Sequence, residues 1–344
     1  MAAATPAIVS EMLGQYGAST RRKVAEYCPA LAPRRYLYDL LADYPRRGGK
    51  MMRPSLCIAT ARAFGATVAD ALNTAVAIEL LHNAILIHDD IEDGSTERRG
   101  EPTLHVQHGV PLALNAGDSL SLLSIQPLID NQRTLGARVA ARVLEETMIT
   151  ARATAEGQAL ELGWRRDNAV DLDASDYLTM VLRKTCWLST IHPLRVGAMI
   201  GTRDGVDLEP FIRFGFFLGA AFQIQDDLLN LVADARYGKE LHGDLWEGKR
   251  TLMLIRLLRT VGAAERERIA ALLRVDRERR RASDVAWLWQ TMKSHDCLEY
   301  AREIAHGLAG AAQFEYSALF GPLPDSRDKR FVEGLVTWVF ERDC

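Results

Sequence analysis

The sequence predicts an all-α fold. Apolar residues recur at helical rather than alternating spacing along nearly all of the 344 residues, and no β-branched run bounded by turns reads as a strand. Turn signals at 45–49, 94–100, 163–171, 201–205, 237–248 and 321–325 separate long helical segments, and none is long enough for an interdomain linker. With no internal repeat, the expectation is a single domain over 1–344, of about a dozen helices, with 1–20 as a flexible N-terminal segment.

Composition supports a globular chain and narrows its partners. With 48% hydrophobic and 25% charged residues the chain can bury a substantial core. A net charge of -3 supplies no overall positive field for nucleic acid, so any anion site must be built locally. Five scattered cysteines, Cys28, Cys57, Cys186, Cys297 and Cys344, form no CxxC pair and fit a reducing compartment. The stretch 1–22 lacks the basic start and apolar run of a secretory signal, and the expected location is cytoplasmic. The most apolar run, 75–87, is broken by Glu79 and His82, so no membrane span is expected.

In chain order, the first notable element is the turn Gly48-Gly49-Lys50-Met51-Met52-Arg53-Pro54, which offers two cations on a flexible glycine pair. The segment 70–93 then reads as a mostly apolar helix that carries Glu79, His82, Asp89 and Asp93 near one face. Asp89, Asp90 and Asp93 form a DDxxD group. Carboxylates four residues apart repel unless a cation lies between them. Arg98-Arg99-Gly100 follows after a short turn.

A second apolar helix over 214–222 leads into Gln223, Asp226, Asp227 and Asn230, again on one face. Gly238-Lys239 and Gly248-Lys249 lie just beyond it. A lone acidic cluster also fits a helix cap or a solvated turn. Two clusters after strongly apolar runs point instead to buried charge with a task. Hard divalent ions such as Mg2+ take oxygen ligands and are held by one or two carboxylates together with substrate phosphates. Arginine forks and mobile lysines would grip the phosphates. The Arg-rich stretch 265–281 interleaves its cations with acids and reads as a solvated face rather than a nucleic-acid patch.

Taken together, the chain resembles the trans-isoprenyl (polyprenyl) diphosphate synthases, and in particular the geranylgeranyl diphosphate synthases. The resemblance rests on GGKxxRP at 48–54, HDDIED at 88–93, RRGxPTxH at 98–105, NAGD at 115–118, EGQ at 156–158, KT at 184–185, FQxxDD at 222–227 and GDLxEGKxT at 243–251. It implies an isoprenoid-synthase helical bundle around a deep central cavity, usually a homodimer. The implied reaction condenses isopentenyl diphosphate head-to-tail with a dimethylallyl, geranyl or farnesyl diphosphate. By resemblance, Asp89, Asp90, Asp93, Asp226 and Asp227 hold three Mg2+ ions on the allylic diphosphate, which Arg98, Lys184, Lys239 and Lys249 also bind. Gly49, Lys50, Arg53, His82 and Arg99 match the isopentenyl diphosphate site, and Thr185 and Gln223 match residues beside the developing carbocation.

Two departures from the family pattern stand out: Met51 occupies a position often Arg, and Asn230 replaces a third Asp. Asn keeps an oxygen ligand without charge, and geranylgeranyl synthases of the family also carry it. The resemblance further makes Ala84 and Ile85, four and five residues before Asp89, the residues that set product length. Neither is aromatic, so a product of twenty carbons or more is expected unless the stretch 119–123 supplies a plug. A terpene cyclase on the same fold would lack the second-substrate cations, and a non-catalytic subunit would lack one acidic cluster. This chain has both.

Overall fold

The structure, a computed structural model, describes residues 7–232 and 242–341. It is helical almost throughout, as the apolar spacing predicts. Among the described residues, the strands are one two-residue antiparallel pair, Glu97–Arg98 with Glu101–Pro102, which closes the turn after the first acidic helix. Twelve helices of eleven residues or more among the described residues carry the fold: α1 Ala7–Tyr27, α2 Met52–Ala63, α3 Val68–Asp93, α4 Val110–Leu123, α5 Ile125–Leu135, α6 Ala137–Arg166, α7 His192–Thr202, α8 Pro210–Val232, α9 Ala263–Leu273, α10 Ala282–Ser294, α11 Cys297–Phe320 and α12 Arg327–Glu341. Shorter turns of helix, among them Asp39–Arg46, Ala174–Val181 and Gly243–Glu247, join them.

Helix α3 is the central element, packed by α1, α2, α4, α5 and α7. Its start is fixed by a capping box in which the Thr67 hydroxyl accepts from the Asp70 N–H and the Asp70 carboxylate accepts from the Thr67 N–H. Its end is fixed by Gly94 in the left-handed region, immediately after Asp93. By length and composition α3 alone among the described helices is apolar enough to cross a membrane, with a mean hydropathy of 1.2. Because 61% of that window is buried inside the protein, α3 is read as a core helix.

The stretch expected to be a flexible N-terminus is helical from Ala7 onward and buries Val9, Met12, Tyr16 and Thr20. Tyr16 donates to Asp328 of α12, which also pairs with Arg62 of α2 at 3.0 Å. The anchoring partner lies more than three hundred residues away in sequence, so no local pattern announces it. In the Arg-rich stretch, Arg266 pairs with Asp171 and Arg281 with Asp284, as a solvated face would. Arg280 departs from that reading. It is buried and donates to the carbonyls of Leu245 and Val275, tying two chain turns together. Cys57, Cys186 and Cys297 are buried free thiols.

Between Ala174–Val181 and α7 the chain widens into a π-helical segment, Leu182–Ile191, on which α6 and α8 pack. Such widenings cluster at functional sites because they re-aim side chains. Gly157 of α6 makes the contact possible, since a Cβ there would lie 2.2 Å from the backbone nitrogen of Lys184. Backbone on both sides leaves nothing to yield. Gly157→Ala is therefore expected to destabilise the protein by about 1–3 kcal/mol, read as a lower urea midpoint; an unchanged midpoint would contradict the packing described.

Candidate active site

A cavity of about 930 Å³ opens between the C-terminal half of α3, the middle of α6, the π-helical segment and the end of α8. The start of α2, the loop after Gly243–Glu247, and Trp338 of α12 complete its wall. Its lining joins charged side chains from these helices to apolar ones, including Leu81, Ile85, Ala151 and Leu188.

Asp89 and Asp93 line the cavity from the C-terminal end of α3, where the helix dipole disfavours negative charge. Cations offset this. Lys184 Nζ lies 3.2 Å from Asp89 and 3.0 Å from Glu161 of α6. Lys249 Nζ lies 3.1 Å from Asp93 and 3.0 Å from Glu247, and Arg165 adds a contact of 2.8 Å to Asp93. Burial alone would raise the Asp89 pKa, but Lys184, Lys249 and Arg98 hold it well below the usual carboxylate range. The same acids hold Lys184 and Lys249 above the ordinary ammonium value despite burial.

Across the cavity, α8 presents Gln223, Asp226, Asp227 and Asn230. Asp227 accepts from Gln223 Nε2 and from the Tyr177 hydroxyl, each at 2.7 Å. The Thr185 hydroxyl donates to Gln223 Oε1 at 2.9 Å, so Thr185, Gln223 and Asp227 form one chain of hydrogen bonds. Asn230 uses its side-chain oxygen to accept from the Asp244 N–H at 3.1 Å, which fixes the turn leading to Lys249.

Negative charge is in surplus here. Burial pushes Asp227 up to about 6, against its two donors, and Asp226 adds to the rise. Burial likewise pushes Glu247 up to about 7. Acids left this uncomfortable fit a divalent cation between the two helices. Among the described residues no three His, Cys, Asp or Glu side chains stand close enough to chelate an ion unaided. The all-oxygen donor set thus suits an ion shared with an anionic ligand.

A second cationic group lies along the wall near α2. Arg53 donates to Ser189 Oγ at 2.7 Å while its buried Nε has no partner, and burial lowers its pKa to about 10. Burial and Arg53 together push His82 down to about 4, so its imidazole is neutral, 3.8 Å from Glu79. Arg99 donates to the Tyr44 carbonyl at 2.9 Å. Gly49 makes room for it: its φ is +146°, and a Cβ there would sit 3.0 Å from the Arg99 guanidinium. Lys50 Nζ lies over the Trp338 ring, 5.4 Å from its centroid. Met51 is buried, in the left-handed region, as the cap of α2.

The sequence-predicted residues Asp89, Asp93, Lys184, Thr185, Gln223, Asp226, Asp227, Gly49, Lys50, Arg53, His82, Arg98, Arg99, Lys249 and Ile85 all line this one cavity. Lys239 lies outside the described residues. Asp90 is placed differently from its expected role as a ligand. It is fully buried behind the wall, where Arg98 grips it with Nε at 3.0 Å and with Nη2, and the Tyr44 hydroxyl donates to it. Ala84 also faces away, packed with Leu80, Ile87 and Leu120 on the α4 side, and no residue of 119–123 reaches the cavity. Tyr44, Glu161, Arg165, Tyr177 and Trp338 carry no sequence signal. They take part only because packing brings distant segments together.

Residues 34–292 match the family described as polyprenyl synthetase. The chain is 34% identical over 259 residues, 75% of it and 77% of the relative, to a short chain isoprenyl diphosphate synthase of Methanothermobacter thermautotrophicus. It is 29% identical to a geranylgeranyl pyrophosphate synthase of Geoglobus acetivorans, over 98% of the chain and 100% of that relative. Among solved structures, a geranylgeranyl pyrophosphate synthetase from Pyrococcus horikoshii matches with a TM-score of 0.84 and 30% identity, over 96% of this chain and 98% of that one. A polyprenyl synthase from Caulobacter crescentus, complexed with calcium and isoprenyl diphosphate, matches with a TM-score of 0.83 and 25% identity, over 99% and 100%. With its all-helical fold and a cavity rimmed by two acidic helix ends, this chain belongs to the polyprenyl synthetase family and is a trans-prenyltransferase.

Proposed function

We propose that the protein condenses isopentenyl diphosphate head-to-tail with an allylic diphosphate and yields a prenyl diphosphate of twenty carbons or more. The observation that carries this reading is the pairing, in one cavity, of two separate cation groups with two facing carboxylate groups above an apolar interior. One diphosphate fits Lys184, Lys249 and Arg98 beside the carboxylates, and the other fits Lys50, Arg53, His82 and Arg99. The reading includes a single domain and a cytoplasmic setting.

Asp89, Asp93, Asp226 and Asp227 would hold Mg2+, three ions by family resemblance, and bound Mg2+ would supply positive charge against the diphosphate as it leaves. The chain's own residues do the rest. Lys184 and Lys249 neutralise negative charge on the leaving diphosphate as the allylic C–O bond breaks. By resemblance the oxygens of Thr185 and Gln223 would stabilise the developing allylic cation, and the apolar lining of Leu81, Ile85 and Leu188 would keep water from it. Lys50, Arg53 and Arg99 hold isopentenyl diphosphate so that its double bond attacks the cation, forming the new C–C bond. A proton then leaves to regenerate the alkene, and the departing diphosphate is the base at hand. Asp90 serves by aiming Arg98 rather than by binding metal.

Length follows from the depth of the cavity. From Glu161, beside Lys184, to Ala151, its last lining residue on α6, the helix advances ten residues, roughly 15 Å. That accommodates about three five-carbon units at roughly one helical turn each, which supports a C15 primer extended to C20. Exposed apolar side chains on α4, α5 and α6, namely Val110, Leu114, Leu122, Ile129 and Met148, favour a homodimer that covers these helices. Sedimentation at a single chain's mass would count against it.

The deciding assay incubates the protein with Mg2+, labelled isopentenyl diphosphate and the C5, C10 or C15 allylic diphosphate, and sizes the products. Elongation to C20 or beyond is expected. A hydrocarbon released without elongation would make the protein a cyclase, and a largest product of C15 would overturn only the length. In the same assay Asp89→Asn and Asp227→Asn should each lower kcat by about 10²–10³-fold with unchanged circular dichroism; activity near wild type would remove them from the site.

A pH dependence follows from the raised carboxyl groups. Asp227 and Glu247 are protonated up to about 6 and about 7 in the folded chain, above their unfolded values, so their contribution is complete below roughly pH 4 and lost as pH rises through 6–7. A divalent cation competes with those protons. The rise in Tm on adding Mg2+ should therefore be larger at pH 8 than at pH 5.5, and equal increments would speak against metal at these carboxylates.

A further inference from the structure

Helix α6 and the π-helical segment run side by side into the protein, and the last cavity-lining residue on each is Ala151 and Leu188. Four residues further inward, about one helical turn, stand Thr147 on α6 and His192 at the start of α7. They meet: His192 Nε2 lies 3.3 Å from Thr147 Oγ1. The Thr147 hydroxyl already donates to the Val143 carbonyl at 2.8 Å, so it accepts from His192, and Nε2 carries the proton. His192 Nδ1 is buried with no partner, and the side chain is only 1% exposed.

An imidazole with an unmet lone pair is a costly object to bury in a helical core. Its surroundings hold it rigidly in place. Next to it, Arg195 and Glu146 form a buried bidentate pair at 2.7 and 2.9 Å, with Arg195 also donating to the Leu208 carbonyl at 3.0 Å. Burial and Arg195 keep the imidazole neutral at working pH. Thr147 and His192 thus form a buried, uncharged pair one helical turn beyond the last lining residues of α6 and the π-helical segment.

Resting on the prenyl-transfer reading above, the geometry points to Thr147 and His192 as the floor of the cavity and the specificity-determining residues for product length. The two residues first expected to set length do not close this end, because Ala84 faces away and Ile85 stands in the side wall. Removing the imidazole would extend the cavity by about one helical turn, close to the length of one five-carbon unit. Removing only the Thr147 hydroxyl would release the ring from its acceptor while keeping the wall's volume.

The test compares wild type, His192→Ala and Thr147→Val with Mg2+, labelled isopentenyl diphosphate and farnesyl diphosphate, sizing the dephosphorylated products, with Tm and circular dichroism reporting folding. His192→Ala should move the main product up by at least one five-carbon unit and let the enzyme accept the wild-type product as a primer. Thr147→Val should broaden the distribution upward. A folded His192→Ala with the wild-type distribution overturns the inference. Should His192→Ala not fold, an unshifted product from Thr147→Val overturns it instead. Wild type that transfers no prenyl group ends the proposed function itself, a separate outcome from an unshifted variant.

Discussion

The structure depends on how the carboxylates at the C-terminal end of α3 and late in α8 are kept in place. Asp89 and Asp93 end α3, and Asp226 and Asp227 stand near the end of α8. A negative charge in the last helical turn costs about 0.3–1 kcal/mol even at a surface, and burial multiplies the penalty. Lys184 and Lys249 reduce it for the first pair, while Gln223, Tyr177 and the charge of Lys249 soften it for Asp227. The residual imbalance, visible in Asp227 and Glu247, is the chemical reason the cavity suits a cation and an anion bound together.

Much of the remaining architecture serves that arrangement. The capping box at Thr67 and the left-handed Gly94 fix the length of α3 and therefore the positions of its acids. The π-helical segment delivers Lys184 and Thr185 to opposite neighbours: Lys184 to the acids of α3 and α6, and Thr185 to Gln223 of α8. Gly157 lets α6 approach closely enough for that exchange. The backbone specials are thus placed where the charges require them.

The helical class and the two acidic stripes were legible in the sequence because both depend on local periodicity. Helical spacing puts Asp89 and Asp93 on one face wherever the helix goes. What the spacing hides is which neighbour each face meets. Asp90, one residue from Asp89, points at Arg98 and Tyr44 rather than into the cavity, and Ala84 points at α4 while Ile85 lines the wall. Tyr177 and Glu161 joined the site through contacts across α6, α8 and the segment between them, which no window of residues contains. The helical start of the chain was missed for the same reason, since Tyr16 is held by Asp328.

That last contact has a consequence for assembly. The part of the chain matched by the family ends at 292, yet Trp338 of α12 stands in the cavity wall beside Lys50. Helix α12 is held there by Asp328, which answers to Tyr16 of α1 and Arg62 of α2. Helices α1 and α12 therefore clasp each other next to the cavity. With everything up to 292 folded, the wall at Lys50 is still open, so closing the cavity there depends on α12, which lies beyond the family-matched part.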